Sequence, residues 1–411
     1  MLIFTMKDKL FKILDSSIYW SIVAMPFSVA ISPGFANAFI GFFCAPFLIK
    51  KFLKKERVFI HTPVNWAFVA LMVISLISMR NSVDWRASIW GLVKLLKYAL
   101  IFLICAEEIR DIKHIKRIII STALGASLVG IDAVWQLTFG KDFVWGQTLA
   151  PCTIGLRRAS ASFPGCNMLG IYLSSITPLL WGLALFYYQG KAKILILAAG
   201  FLATLGLSLT FSRGAGLGLY LALVYMGIVK RHKILIAALL CLLLIYPLLM
   251  PKNIKDWAKS INYNIVVFMC NPDRISMYKN TVNMIKHHPF VGVGVNTFVE
   301  NYAKYKLPGP DYAKTPAATY AHNIYLQMAG ETGLIGLGAF FCFLFMLFRQ
   351  GAAVYHKLRD DYLKIIALSV LACCLAFLVN GLTETNLYHA RIAMMFWYLS
   401  GFSLALKKFS S

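Results

Sequence analysis

Residues 194–229 read ILILAAGFLATLGLSLTFSRGAGLGLYLALVYMGIV, and Arg213 is the only charged residue among these 36. As one straight helix the stretch would extend about 54 Å, whereas the hydrocarbon core of a bilayer is about 30 Å thick. The stretch therefore predicts two membrane-spanning helices joined by a tight turn at SRG. Because Lys193 and Lys230 flank it, the turn is predicted to lie on the side of the membrane opposite these lysines.

The composition of the whole chain agrees with this hairpin. Hydrophobic residues make up 59% of the 411 residues, and the mean hydropathy is +0.69. Apolar runs of about 18 residues recur to the C-terminus, which excludes a soluble globular protein. The first run is predicted to be a retained span rather than a cleaved signal, since similar runs follow it. The sequence predicts an all-α, polytopic membrane protein.

The formal net charge is +24, which in a soluble chain would point to nucleic acid. Here the basic residues cluster on alternate short connections, so the positive-inside rule places these connections in the cytoplasm, and no nucleic-acid partner is expected. Both termini are then cytoplasmic. The clusters lie at 7–12, 50–57, 110–117, 191–193, 230–233, 349–364 and 407–408.

The alternation predicts about twelve spans. They are 18–34, 35–53, 62–80, 88–105, 117–139, 166–188, 192–212, 214–229, 233–250, 323–348, 363–381 and 389–406. The chain divides accordingly into spans one to nine (1–250), an outer loop domain with amphipathic helices (251–322) and spans ten to twelve (323–411).

Several chemistries find no support in the sequence. No Cys/His cluster has metal-ligand spacing, and there is no Gly-Lys loop that would bind nucleotide phosphates. Neither a metal nor another cofactor is expected. Cys152 and Cys166 both lie in an outer connection, and spacing alone leaves open whether they pair.

Arg213 has two interpretations. An interfacial arginine can extend to lipid phosphates without any further role. Alternatively, its guanidinium can bind a phosphate-bearing substrate, and two further outer residues favour this second interpretation.

The first of these residues is Arg274, in NPDRISMYKNTVNMIKHHPF (271–290). Ile275, Tyr278, Val282 and Ile285 have helical spacing, Asn271 and Pro272 suit a helix start, and Pro289 ends the helix. The pattern predicts an amphipathic helix outside the membrane, with Arg274 in its first turn.

The second residue is His322, which with Asn323 stands where the chain enters the tenth predicted span. A helix N-terminus and two nearby guanidiniums disfavour the imidazolium, so His322 could stay neutral and accept a proton. A plain structural role at the helix start is the alternative. Two arginines suited to phosphate and one proton acceptor together predict transfer of a group away from a phosphate leaving group.

The motifs LTFSRGAGL, DRISMY with HPFVGVGVNTF, and AHNIYLQMAGETGLIG resemble, in this order, those of the O-antigen ligase and polymerase superfamily of bacterial envelope glycosyltransferases. RASASFPGCNMLGIYL, which contains Asn167, is similar to an earlier segment of that family. The resemblance implies a GT-C-like membrane fold in the bacterial inner membrane and an inverting, metal-independent transfer of a glycan from undecaprenyl diphosphate at the periplasmic face. Arg213 and Arg274 would hold the diphosphate, and His322 would activate the acceptor.

Further residues are weaker candidates for substrate binding. The resemblance suggests Arg391, in TETNLYHARIA, and Asn167, while position alone suggests Arg86, Asn323 and the pair Arg157 and Arg158. An interfacial anchor for Arg391 or Arg86, and a helix cap for Asn167, are the structural alternatives.

The acceptor stays open within the superfamily. A ligase uses the lipid A core, a polymerase uses another lipid-linked repeat, and a third branch uses protein. The compact length and the surplus of cations in the 251–320 loop favour the ligase, because the lipid A core is rich in phosphate. A transporter or flippase for an anionic lipid is the alternative from a different class. It predicts charged or broken helices near the bilayer midplane and an internal repeat, and no repeat is found in the sequence.

Overall fold

The structure, a computed structural model, describes residues 2–56, 62–151 and 157–410. The described residues form 17 α-helices and a two-stranded antiparallel sheet of β1 (Ala150–Pro151) and β2 (Arg157–Arg158). The helices are α1 (Leu2–Ile31), α2 (Pro33–Lys54), α3 (Pro63–Ser78), α4 (Trp85–Glu108), α5 (Ile112–Phe139), α6 (Cys166–Phe186), α7 (Gly190–Leu209), α8 (Arg213–Val229), α9 (Lys233–Leu249), α10 (Lys252–Ser260), α11 (Ile265–Cys270), α12 (Pro272–His287), α13 (Phe298–Tyr302), α14 (Pro310–Ala313), α15 (Ile324–Lys357), α16 (Asp361–Asn380) and α17 (Ala390–Ala405). Cys152 lies outside the described residues, so the structure does not test a Cys152–Cys166 disulfide.

The predicted fold class is confirmed. Among the described residues, nine helices are long and apolar enough to cross a membrane, and α9 with α10, bent by 87°, would form a tenth span if counted as one. The shorter helices α8 and α17 coincide with the predicted eighth and twelfth spans. The chain is an all-α polytopic membrane protein, while the total of twelve spans and the division at residues 250 and 322 stay predictions.

Two helices extend beyond the predicted spans. α1 begins at Leu2, ahead of residue 18, and Asp15 in its N-terminal half pairs with Lys50 of α2 at 2.5 Å. α15 continues to Lys357 rather than ending at residue 348.

Polar side chains at helix starts define where several spans begin. The N-cap side chain accepts hydrogen bonds from the first-turn N–H groups of α4, α5, α15 and α16, which have no partner inside the helix. These N-caps are Asp84, Asp111, Asn323 and Asp360.

The core of the bundle lies around α16 and α17, most of whose residues are buried. The Trp397 ring of α17 lies 4.9 Å from that of Phe68 in α3 and 5.1 Å from that of Phe343 in α15. Aromatic side chains of α3, α15 and α17 thus pack together in the core of the bundle.

Small residues allow α8 to lie directly on α16. A Cβ at Gly218 would be 2.6 Å from the carbonyl oxygen of Ala376, and one at Gly214 would be 2.1 Å from the hydroxyl of Thr383. This close approach holds Arg213, the first residue of α8, beside the segment that follows α16.

α15 is interrupted at Gly333, whose φ of 72° and ψ of −178° are accessible essentially to glycine alone. The main chain of residues 289–294 lies in this break: Leu334 N–H donates to the Pro289 carbonyl at 2.7 Å, and Val293 N–H donates to the Gly330 carbonyl at 2.9 Å. The glycine-rich turn after α12 therefore supplies the hydrogen bonds that the interrupted helix lacks.

The predicted amphipathic helix is α12, but the predicted apolar face was wrong. The buried residues are Met277, Asn280, Thr281 and Met284, whereas Val282 is 40% exposed. Two polar side chains can be buried here because both are hydrogen-bonded: the Asn280 amide donates to Tyr302 at 2.8 Å, and the Thr281 hydroxyl donates to the Met277 carbonyl.

Candidate functional site at the outer end of the bundle

Most of the predicted site residues lie at or beside helix starts at one end of the bundle. We call this the outer end, defined as the end at which α3 finishes and α4, α6, α8 and α15 begin. Arg213 begins α8, Arg274 is in the first turn of α12, Asn167 is in the first turn of α6, and His322 precedes α15 by two residues.

Glu384, in the connection between α16 and α17, links three of these residues. Its Oε2 lies 3.2 Å from His322 Nδ1, while its Oε1 accepts hydrogen bonds from Arg274 Nη2 and Asn167 Nδ2. Arg274 Nη1 also donates to the Thr383 carbonyl. The Glu384 side chain is 7% exposed, so this is a buried, charge-assisted network.

The environment of Glu384 favours its ionised form. Burial would raise the pKa of this carboxyl, but the hydrogen bond to His322 and the charge of Arg274 outweigh burial, so the pKa is lowered from its usual 4.5. Glu384 is therefore a carboxylate at neutral pH.

The imidazole of His322 is held from one side and open on the other. Its side chain is 31% exposed, and Nε2 has no hydrogen-bond partner among the described residues. A proton on Nδ1, donated to the Glu384 carboxylate, leaves Nε2 as an acceptor. His322 also has a left-handed φ of 49°, and its carbonyl accepts a hydrogen bond from Tyr278 at 3.1 Å. This arrangement suits a group that takes a proton from a substrate hydroxyl.

Arg213 lies beside this network and contacts the segment before α12. Its guanidinium donates to the Phe268 carbonyl and, at 2.6 Å, to the Asn271 side chain, and it lies 4.8 Å from the Trp257 ring centroid. The predicted capping role of Asn271 was wrong: its side chain makes no cap hydrogen bond to α12 because it accepts from Arg213. Arg213 thus positions the segment that leads into α12 and Arg274.

Arg158 extends the network on the side of Asn167. Its Nη2 donates to Asn167 Oδ1, and its Nε donates to the Thr210 carbonyl at 2.6 Å. Asn167 therefore bridges Arg158 and Glu384. The neighbouring Arg157 is exposed and pairs through its main chain with Pro151.

Three other predicted site residues make no hydrogen bond to Glu384 among the described residues. Arg391 is 6% exposed, donates to the carbonyls of Val29, Ala30 and Ser162, and lies 3.7 Å from the Phe163 ring centroid. Arg86 is exposed at the start of α4. Asn323 caps α15, and its amide donates to the Leu382 carbonyl at 3.0 Å. Substrate binding by these residues stays a prediction.

Glu384 is the residue that sequence reasoning missed. It stands in TETNLYHARIA, where Arg391 alone had been considered. The available signal was a single acidic residue in an outer connection, 381–389, that contains no Lys or Arg. Such an acid, on a face with several arginines and a histidine, is a candidate partner for them.

The fold and these contacts define a class: a polytopic membrane protein with a buried carboxylate, imidazole and guanidinium network at the ends of its helices. A family model described as O-Antigen ligase matches residues 198–341, which include Arg213, Arg274 and His322. This match supports the O-antigen ligase and polymerase superfamily, which the motifs had suggested. No curated protein matches the chain in a sequence comparison.

Proposed function

We propose that the protein transfers a glycan from undecaprenyl diphosphate to a sugar hydroxyl of the lipid A core, at the periplasmic face of the bacterial inner membrane. The observation that carries this proposal is the contact of Glu384 with both His322 and Arg274, because it joins a proton acceptor to a phosphate-binding cation. The match to the O-Antigen ligase model supports the glycosyltransferase class.

The proposed step is a single displacement with inversion. The acceptor hydroxyl attacks the anomeric carbon as its proton moves to His322 Nε2, and the bond from that carbon to the diphosphate oxygen breaks. Glu384 stabilises the positive charge that the imidazole gains. The diphosphate leaves with the electron pair, and the guanidiniums of Arg274 and Arg213 bind its oxygens.

An apolar groove on the surface of the bundle supports a lipid-linked donor. It has a volume of about 410 Å³ and lies between α15 and α16, lined by residues that include Tyr325, Phe341, Phe345, Leu378 and Leu382. Leu382 is two residues from Glu384, so the groove ends beside the network. A hydrocarbon chain in this groove would place its diphosphate near the arginines.

Transport of an anionic lipid predicts a broken helix near the midplane, and α15 is broken at Gly333. This break, however, contacts the turn that packs on the outer end of α3: the Asn81 amide donates to the Gly292 carbonyl at 2.8 Å, and the Ser78 hydroxyl accepts from Val295 N–H. These contacts indicate that the break in α15 anchors the outer loop, and they do not support a transport site at the midplane.

The test uses purified full-length protein with undecaprenyl-diphosphate-linked glycan and lipid A core, in chelator and without nucleotide. We expect transfer by the wild type, loss of at least about 100-fold in His322→Ala and little change in His287→Ala, an exposed histidine of the same loop. Full activity of His322→Ala would remove the proposed base. Transfer to a second lipid-linked repeat but not to lipid A core would identify a polymerase instead.

A further inference from the structure

A second cavity lies at the other end of the bundle, which we call the inner end. Its volume is about 380 Å³, and it lies between the last turns of α15, the start of α3 and the C-terminal 3₁₀ helix Leu406–Phe409. Its polar lining consists of Arg349, Gln350, Lys357, Lys407 and Ser410. We call this cavity the basic pocket.

Among the described residues, no carboxylate compensates the charge of the basic pocket. None of its three cations, Arg349, Lys357 and Lys407, has a carboxylate within ion-pair distance among the described residues. The dipole at the end of α15 accounts for a cation in its last turn, such as Lys357, but not for three cations around one cavity.

Two buried lysines at the inner end are paired. Lys50 contacts Asp15 and Glu108, and Lys51 contacts Glu56 and Glu107. Four carboxylates at this end, those of Asp15, Glu56, Glu107 and Glu108, are therefore engaged in a neighbouring cluster. The basic pocket keeps an excess of positive charge that favours an anionic ligand.

The remaining lining of the pocket is apolar. Met346, Ala353 and Val354 lie on the same face of α15 as the cations, and Pro63 begins α3 opposite them. In α3 the indole of Trp66, one turn further along, is 55% exposed, as is typical of the interface between lipid and water. A cavity with cations at its polar end and apolar walls matches a molecule with an anionic head and hydrocarbon chains.

We propose that the basic pocket binds the phosphate headgroup of an anionic phospholipid, with the acyl chains along α3 and α15. Pockets of Lys and Arg between membrane helices on the cytoplasmic side commonly bind such headgroups. The proposal does not depend on the glycosyltransferase assignment, because Arg349, Lys357 and Lys407 lie at the opposite end of the bundle from Glu384.

The test titrates purified full-length protein in detergent with phosphatidylglycerol or with phosphatidylcholine and counts bound lipid by native mass spectrometry. The variant is Arg349→Gln/Lys357→Gln/Lys407→Gln. The matched control, Lys191→Gln/Arg231→Gln/Lys233→Gln, removes one arginine and two lysines that are exposed at the same end. We expect phosphatidylglycerol binding to weaken about 100-fold in the first variant and less than about twofold in the control, since each cation contributes about fivefold.

Wild-type affinity in the first variant, or equal binding of phosphatidylglycerol and phosphatidylcholine by the wild type, would overturn the proposal. Displacement of phosphatidylglycerol by millimolar inorganic phosphate would instead identify a site for a soluble anion and would also overturn it. Thermal unfolding checks that the variants fold. If the triple variant does not fold, the three single variants decide, each with an expected loss of about fivefold.

Discussion

Glu384 determines the tautomer of His322 and the position of the Arg274 guanidinium. By accepting a hydrogen bond from Nδ1 of His322, its carboxylate selects the tautomer in which Nε2 can take a proton. By pairing with Arg274, it also holds that guanidinium at the same end of the bundle. A single buried carboxylate thus sets the geometry of both the proposed base and the proposed phosphate ligand.

Replacing Glu384 should therefore impair transfer more than binding. We expect Glu384→Gln to lower kcat by about 100-fold or more, because glutamine neither selects the tautomer nor stabilises the imidazolium, with a smaller change in KM for the donor. Steady-state kinetics of the purified protein measure both constants. Glu300→Gln, which removes an exposed carboxylate of the outer loop, is the control and should retain wild-type kinetics. An unimpaired Glu384→Gln enzyme would show that the carboxylate has only a structural role.

The same carboxylate predicts a pH dependence of stability. Because the pKa of Glu384 is lowered in the folded protein, its contribution to the free energy of unfolding is fully present above its usual value of 4.5 and is lost as pH falls through the lower folded value. Thermal unfolding should show wild type more stable than Glu384→Gln at neutral pH, with the difference shrinking below pH 4.5. A difference that stays constant into that acidic range would contradict the proposed ion pair with Arg274.

The reason that Glu384 escaped prediction is its distance along the chain. It lies 62 residues from His322 and 110 residues from Arg274. Helical periodicity and caps are local signals, and none of them relates the end of α16 to the starts of α12 and α15. Arg213, Arg274 and His322 were identifiable because each stands at a helix start within a recognisable motif.

At the scale of elements, the interrupted helix α15 connects the outer loop to the membrane bundle. Residues 289–294 bond to the main chain on both sides of Gly333. In addition, Glu331 accepts hydrogen bonds from Asn296 N–H at 2.7 Å and from the Tyr388 hydroxyl at 3.1 Å. The short segment of α15 before the break carries His322 at its start, so the break contributes to where that imidazole lies.

Gly333→Ala tests this connection. An added Cβ would lie 2.0 Å from the Phe290 carbonyl oxygen, in a backbone conformation that alanine disfavours, so we expect a loss of at least about 2 kcal/mol in the free energy of unfolding. Thermal unfolding in detergent measures the effect. Gly338→Ala, in the same helix but with open space around the added Cβ, is the control and should be neutral or slightly stabilising. Equal stability of the two variants would mean that the break is not a required feature.

Local signals predicted the helices well and their interruptions poorly. Apolar runs with alternating basic connections indicated the spans, and Asn271 with Pro272 placed the start of α12 correctly. The break at Gly333 was not predictable, because GETGLIG reads equally as a small-residue packing surface. The buried face of α12 was assigned by apolarity alone, whereas Asn280 and Thr281 are buried through hydrogen bonds that the sequence does not reveal.

At the scale of the whole molecule, the site depends on helices from both ends of the chain. α6, α8, α12 and α15 each place a residue at the outer end, and the segment between α16 and α17 supplies the carboxylate that joins three of them. α17 in turn is held against α1 by Arg391, which lies seven residues after Glu384. The position of Glu384 therefore depends on how the last helix is anchored to the first.

The Arg391→Gln variant should distinguish two roles of Arg391: anchoring α17 to α1, and binding the substrate directly. The substitution removes the guanidinium donor from the carbonyls of Val29 and Ser162, whereas Ala30 keeps the Ser162 hydroxyl as a donor. We therefore expect a loss of about 3 kcal/mol in stability and a lower yield of monodisperse protein. Arg86→Gln, which removes an exposed guanidinium at the same end, should leave both unchanged. Thermal unfolding and size-exclusion chromatography measure these effects. If Arg391→Gln folds like the wild type but binds the lipid-linked donor more weakly, Arg391 is a substrate ligand, as the family resemblance implies.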